Sequence, residues 1–150
     1  MPILAGQIIT AGQLNRLQPV VYSATGSSNL VLTTTDTDVP GASVTLTTGT
    51  ANAIYVAHGV FCFDAGGAVT DFGSGILNVD GAQASGNARW SGEVGTDFGT
   101  DTQLWTGTLP AAGSHTLKLQ GSRSAAPAGG IQITMLGAFT KILVTIYEVV

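Results

Sequence analysis

The chain has 150 residues, of which 44% are hydrophobic and only 9% are charged, with a formal net charge of −4 at pH 7. This length suits one domain with a single core, and the low charge excludes a disordered chain, since disordered segments are charge-rich and apolar-poor. Five Lys and Arg residues are too few for a groove that follows nucleic-acid phosphates, so we expect no nucleic-acid partner.

Membrane insertion, secretion and disulfide bonding are also not indicated. The longest mostly apolar run, residues 51–63, is too short to cross a bilayer as a helix and contains His58, so we expect no membrane partner. The first residues lack the charged and apolar regions of a signal peptide, which predicts assembly in a cytoplasm. Cys62 is the single cysteine and excludes an internal disulfide.

Residues 1–18 differ from the rest of the chain and are interpreted as an anchoring arm. Thr10 is a candidate N-cap for a short helix over residues 11–17, which Pro19 would end. The alternative is an ordinary N-terminal strand and helical turn that fold onto the same domain. The partner-binding residues predicted for the arm are its apolar side chains: Ile3, Leu4, Ile8, Ile9, Leu14 and Leu17.

From Pro19 the pattern is that of β-strands. Short β-branched runs cover residues 20–24 and 29–35, and Pro40-Gly41 predicts a turn before an alternating strand over residues 43–48. Residues 53–64 form the longest strand candidate. Both of its faces are apolar, which predicts a central strand covered on both sides, with Tyr55, Phe61 and Phe63 at an interface between copies of the chain.

The second half continues in the same way. Asp80-Gly81 after the strand 76–79 predicts a hairpin, since a type I′ turn needs positive φ at both central residues. Residues 92–101 look like a loop. Further strands are predicted over residues 103–108, 114–120, 131–136 and 141–149. Eight to ten short strands without a long helix predict an all-β antiparallel jelly-roll sandwich over residues 19–150, preceded by the arm.

Candidate catalytic and metal-binding residues are few. His58 and Cys62 share one face of a strand but lie roughly 13 Å apart, too far for a catalytic pair, so both are interpreted as core or interface residues. Asp36 with Asp38, and Asp97 with Asp101, are interpreted as turn residues; calcium ligation is the alternative. No catalytic residue, cofactor or metal site is predicted.

Aromatic and basic side chains allow two interpretations. Trp90, Trp105, Phe98 and Tyr22 are assigned to the core or an interface, with stacking on sugars as the alternative. Arg89 and Arg123 are candidates for pairing at an interface.

Several segments together resemble tailed-phage virion proteins. The arm AGQIITAGQLNRLQP (residues 5–19) resembles their N-terminal arms, and TTTDTDVPGASVTLTT (residues 33–48) resembles their first paired strands. ILNVDG, LPAAGSHTLKLQGS and ILVTIYEVV, which begin at residues 76, 109 and 142, are similar to later strands of jelly rolls of the tumour-necrosis-factor and complement-head type. No single motif is specific, and the resemblance depends on their order.

The resemblance implies a non-enzymatic virion protein that forms homotrimers. The specific function that the resemblance implies is capsid decoration or stabilisation. The protein would be located in the virion and attached through the arm to the major capsid protein or another virion protein. The alternative is a tail-associated fibre or tip protein that binds a host surface glycan. An enzyme such as a depolymerase is a third class, for which the sequence offers no nucleophile, base or metal set.

Overall fold

A computed structural model describes residues 18–92 and 97–148, and these residues form a two-sheet β-sandwich. Two single 3₁₀ turns, Ala128–Gly130 and Gly137–Phe139, lie in the connections near the C-terminus. The strands are β1 (Val20–Thr25), β2 (Leu30–Val31), β3 (Thr37–Thr48), β4 (Ala53–Ala65), β5 (Gly73–Val79), β6 (Ala82–Gln83), β7 (Ala88–Trp90), β8 (Asp97–Leu109), β9 (Gly113–Arg123), β10 (Ile133–Met135) and β11 (Lys141–Tyr147). The described part of the chain contains no helix that is long and apolar enough to span a membrane.

The strands form two antiparallel sheets. In sheet A, β8 pairs with one side of β4 along thirteen residues, while β11 and β10 pair with successive parts of its other side. Strands β1 and β2 continue the sheet beyond β11 and β10. Sheet B has the order β3, β9, β5, and β6 and β7 both pair with β5. The predicted jelly-roll sandwich is confirmed.

The core lies between the two sheets and follows the period of two that strands impose. Val44 and Leu46 on β3, and Leu117 and Leu119 on β9, are buried, whereas Lys118 between them points outward. The centre of the core is aromatic: Phe61 stacks on Phe63 at 6.3 Å between ring centroids and meets Trp105 edge-on at 6.1 Å. Burial of these rings supplies a large part of the apolar area removed from water.

A glycine in sheet B makes room for this aromatic centre. A Cβ atom on Gly75 would lie only 2.5 Å from the ring of Phe61, which is itself wholly buried. A side chain at this position is therefore incompatible with the observed packing.

The three aromatic residues that the sequence assigned to an interface between copies lie inside the protomer. Tyr55 is 7% exposed, and Phe61 and Phe63 are 0% exposed, because their side chains fill the space between the sheets. A second copy has no access to them, and the surface of β4 that is open to contact is the opposite, outward face. The apolar arm residues Ile3, Leu4, Ile8, Ile9, Leu14 and Leu17 lie outside the described residues.

Two local predictions differ from the structure. Pro40-Gly41 does not precede a strand; it lies within β3, where the register against β9 shifts between Asp38 and Ser43 and Gly41 has a φ of 80°. Between these two pairs β3 advances five residues while β9 advances two, so the extra residues of β3 form a bulge-like irregularity that accommodates proline inside a sheet. Residues 97–101, predicted as loop, belong to β8, and their pairing with β4 is continuous. The Asp80-Gly81 hairpin is confirmed, with φ values of 51° and 90°.

Candidate interaction surface

The outward face of sheet A presents rows of side chains that are aligned across three strands. The pairing of β4 with β8 and β11 places His58 between Leu104 and Leu143. In the neighbouring rows Val56 lies between Thr106 and Thr145, and Val60 lies between Thr102 and Lys141. A fourth row contains Thr108, Ile54 and Tyr147.

This face is apolar and open to solvent. Leu104 is 57% exposed, Tyr147 45%, Leu143 44% and Ile54 43%, and Val21 on β1, opposite Thr145, is 58% exposed. We call these five residues, together with Val56 and Val60, the apolar patch. A contiguous patch of large exposed apolar side chains is typical of a contact surface, whereas single exposed apolar residues are ordinary.

Charge is scarce around the apolar patch. In its four rows Lys141 carries the one formal charge, no carboxylate is present, and the remaining polar side chains are threonines and His58. Lys141 and His58 are both exposed. The core of a protein interface is depleted in charge in the same way, since an unpaired buried charge is costly.

The alternation of side chains along β8 indicates this outward face in the sequence itself. Thr100, Thr102, Leu104, Thr106 and Thr108 alternate with inward residues, so their side chains line one face of the strand. Residues 92–101 were predicted as loop, which hid the length of this alternation.

The two predicted histidines lie in different environments. His58 is exposed within the rows described above. His115, on β9, is 5% exposed; its Nδ1 lies 2.6 Å from Oδ2 of Asp80, and its Nε2 lies 3.0 Å from the backbone oxygen of Ala111. The hydrogen bond to Asp80 raises the pKa of His115, although burial opposes the shift. The two histidines lie on different sheets and do not form a shared site.

Cys62 is 1% exposed, and the hydroxyl of Thr100 donates a hydrogen bond to its sulfur at 3.8 Å. Its own backbone N–H donates to the hydroxyl of Thr140 at 3.3 Å. These contacts agree with the interpretation of Cys62 as a small buried residue.

The predicted carboxylate pairs do not form shared sites. Asp38 accepts hydrogen bonds from Lys118 and Gln120, both at 2.7 Å, and the bond from Lys118 is the main reason why the pKa of Asp38 is lowered. Asp101 accepts bonds from the backbone N–H groups of Arg89 and Thr102, both at 2.8 Å. Among residues 18–92 and 97–148, no group of three or more metal-ligating side chains is found.

The aromatic and basic candidates divide between core and surface. Trp90 stacks on Phe63 with the ring planes 3° apart, and Trp105 is 3% exposed, with its Nε1–H donating to the backbone oxygen of Gly86 at 2.7 Å. Tyr22 packs against the core from β1, while Phe98 is 57% exposed. Arg89 lies over the ring of Phe72 at 4.7 Å.

Arg123, the second basic candidate, is not available to a partner. It is 3% exposed and forms an ion pair with Asp71 within the protomer, at 2.7 Å between Nε and Oδ2.

Comparisons with known proteins show the fold alone. No protein-family model matches the chain, and no curated protein matches its sequence. A structure of murine APRIL covers 87% of this chain and 100% of its own, at 11% identity and a TM-score of 0.53. Eiger TNF from S. frugiperda matches with 87% and 93% coverage, 12% identity and a TM-score of 0.52.

A third structure, of the infectious bursal disease virus Gt strain, has 14% identity and a TM-score of 0.50. The match covers 87% of this chain but only 32% of the viral chain. The fold is therefore a jelly roll of the TNF-like type, and it is shared with a viral protein.

Proposed function

We propose that this chain is a non-enzymatic structural protein of a tailed-phage virion. It assembles as a homotrimer and binds the particle through residues 1–18, and its specific role is capsid decoration or stabilisation. The observation that carries the proposal is the apolar patch on sheet A, because a large exposed apolar surface with a single charge in its rows, in a chain with 9% charged residues, is typical of a surface that a partner covers.

A second copy of the chain is the occupant that we propose for the apolar patch. Lys141 is the charged residue in its rows, while the chain as a whole has nine Asp and Glu residues against five Lys and Arg. A copy therefore brings carboxylates that complement Lys141 and apolar side chains that match the patch. The resemblance to jelly rolls of the tumour-necrosis-factor type supports three copies around a threefold axis.

The position of β1 supports the use of residues 1–18 as an arm. Strand β1, which begins at Val20, lies at the edge of sheet A beside β11. Val20 therefore lies at the border of the proposed trimer contact, next in sequence to the residues that we assign to the arm. Three arms on one trimer would combine weak contacts through effective concentration, and binding to the assembled shell alone would stabilise it by mass action.

The first experiment is to count copies of the protein in purified virions by quantitative mass spectrometry against the major capsid protein. Hundreds of copies in a fixed ratio to the shell protein are the expected result. A handful of copies, in multiples of three or six, would contradict a decoration role and favour the alternative, a tail fibre or tip protein that binds a host surface glycan.

The role of the arm is tested by deletion. We expect that removal of residues 1–18 leaves a folded trimer that no longer co-purifies with particles, because the domain core lies within the later residues. Sedimentation velocity checks the trimer, and pelleting with particles that lack the protein checks attachment. The full chain serves as the control, and a truncated protein that still pellets with particles would refute the arm's role.

A further inference from the structure

A polar cleft lies on the outward face of sheet A, beyond the end of the apolar patch. It has a volume of about 440 Å³. Its polar lining side chains are Asp64, Gln132 and Thr134, and Ile131 and the glycines 66, 129 and 130 form the rest of its wall. Asp64 is four residues along β4 from Val60, so the cleft begins roughly 13 Å beyond the patch. The volume lies within the range of small-molecule sites in proteins.

Among the residues that the structure describes, the Asp64 carboxylate has no partner. It is half-buried, yet it forms no hydrogen bond or ion pair with any described residue. The other half-buried carboxylates of residues 18–92 and 97–148 all accept hydrogen bonds: Asp71, Asp97, Asp101 and Glu148. A solvent-accessible carboxylate that accepts no hydrogen bond from a described residue is open to a ligand that donates hydrogen bonds.

An exposed aromatic residue, Phe98, is paired with Asp64, one of the residues that line the cleft. The pairing of β8 with β4 places Phe98 directly opposite Asp64, and the pairing of β10 with β4 places Thr134 on its other side. Side chains directly opposite on neighbouring strands lie about 5 Å apart. Phe98 is 57% exposed, so its ring offers an apolar surface beside three polar side chains.

The chemistry of these groups selects one class of ligand. No Lys, Arg or His lines the cleft, which disfavours an anion, and a single carboxylate does not make a cation site. The lining is too polar for an apolar peptide. A pyranose ring fits, because its hydroxyl groups donate to Asp64 and exchange hydrogen bonds with Gln132 and Thr134 while its C–H face packs on Phe98.

We propose that this cleft, formed by Asp64, Gln132 and Thr134 beside Phe98, is a binding site for a neutral saccharide. The site is complete within one protomer. It does not depend on trimer formation or on the location of the protein in a particle.

The test is an NMR titration of the ¹⁵N-labelled full chain with the methyl glycosides of glucose, galactose, mannose and N-acetylglucosamine. We expect saturable shifts for at least one sugar, confined to residues near 64, 98 and 129–134, with a dissociation constant in the millimolar range. Phe98→Ala and Asp64→Asn should each weaken binding by about tenfold or more, since each removes one of the two main contacts.

Matched variants make the result specific. Phe139→Ala removes an aromatic side chain that is 59% exposed but lies in a 3₁₀ turn and is not paired with Asp64, and Asp36→Asn removes an exposed carboxylate elsewhere; neither should change binding. The proposal is overturned if none of the four sugars gives saturable shifts, or if all four variants bind equally. Shifts at Asp64 with calcium chloride alone would also overturn it, in favour of a cation site.

Discussion

His115 lies between two hydrogen-bond acceptors, and this geometry favours its charged form. Its Nδ1 faces a carboxylate oxygen of Asp80, and its Nε2 faces the backbone oxygen of Ala111. A backbone oxygen and an ionised carboxylate only accept, so both contacts are hydrogen bonds when the ring is protonated on both nitrogens. The Asp80 carboxylate also accepts the backbone N–H of Thr116 at 2.7 Å.

The pKa values of the pair move in opposite directions. The bond to Asp80 raises the pKa of His115 against the effect of burial. Burial pushes the pKa of Asp80 upward, but the hydrogen bonds from His115 and Thr116 outweigh it and leave that pKa lowered. Each shift stabilises the charged form of its group. The pair therefore contributes most to the free energy of unfolding at pH values at which both groups are charged in the folded protein.

We predict that the free energy of unfolding decreases as the pH rises above about 6.5, the unfolded pKa of histidine. A histidine with a raised pKa contributes its full stabilisation below its unfolded pKa of about 6.5 and loses it as the pH passes through the folded value. Urea unfolding at a series of pH values measures this. His115→Gln should remove the decrease, and His58→Gln, which changes an exposed histidine, should keep it.

A decrease of the same size in His115→Gln would contradict the role of this residue. The contribution of Asp80 has the opposite dependence, because a lowered carboxyl pKa gives stability that is lost only as the pH falls through the folded value. The two effects therefore occupy separate pH ranges and do not cancel above about pH 6.5.

At the scale of elements, one buried ion pair joins several connections between strands. Arg123 ends β9, and its guanidinium donates to both oxygens of Asp71 in the β4–β5 connection, at 2.7 and 2.8 Å. It also donates to the backbone oxygen of Ile131, before β10, at 3.1 Å. Its backbone N–H donates to the oxygen of Thr33, between β2 and β3, at 2.8 Å.

We predict that Asp71→Ala lowers the free energy of unfolding by about 3–5 kcal/mol, because it leaves a buried guanidinium without its carboxylate. The side chains of Arg123 and Asp71 are 1% and 9% exposed. Asp38→Ala is the matched control: it breaks an ion pair whose side chains are 30% and 51% exposed, and should cost at most about 1 kcal/mol. Chemical denaturation measures the free energy of unfolding of both variants. Equal decreases in the two variants would contradict the prediction that burial makes the Arg123–Asp71 pair more important.

The sequence predicts the buried face of a strand best where the other face is polar. Lys118 and Gln120 alternate with Leu117 and Leu119, so the inward face of β9 could be identified without a structure. In β4 both faces are apolar, and hydrophobicity alone does not say which one is inside. The packing of the two sheets determines which face of β4 is buried. The buried face carries Tyr55, Phe61 and Phe63, whose side chains point toward the opposite sheet.

Parts of β8 and β3 were not predicted as strand because their residues are typical of turns. Asp97, Gly99 and Asp101 suggest a loop, yet each is paired with β4 in a continuous register. Pro40 and Gly41 suggest a turn, yet the bulge keeps β3 in its sheet. The pairing of strands distant in sequence overrides local preference. Asp64 and its cleft were missed because their parts come from three strands and a connection.

At the scale of the whole molecule, the outward face of sheet A is divided by chemistry along β4. Rows with Ile54, Val56, His58 and Val60 form an apolar surface, and the row with Asp64 begins a polar one. Removal of apolar surface from water is the main favourable term in association, whereas a polar cleft remains solvated until a ligand replaces its water. The first part therefore suits a permanent contact with another copy, and the second suits a ligand that exchanges.

We predict that Leu104→Asp converts the proposed trimer to monomers without unfolding the protomer. Leu104 is 57% exposed in the protomer, so a carboxylate there remains hydrated until a second copy covers it. Covering it would bury an unpaired charge, which should raise the dissociation constant by about 100-fold or more. Sedimentation velocity over a dilution series measures the change, and circular dichroism verifies that the sandwich is intact.

Two further variants make this prediction specific to the apolar patch. Leu143→Asp, on the other side of His58, should have the same effect, because it lies in the same row. Phe139→Asp changes a side chain that is 59% exposed but lies outside the rows, and should leave the trimer unchanged. If Leu104→Asp and Leu143→Asp variants sediment as the wild type does at every dilution, copies of the chain do not meet through this face.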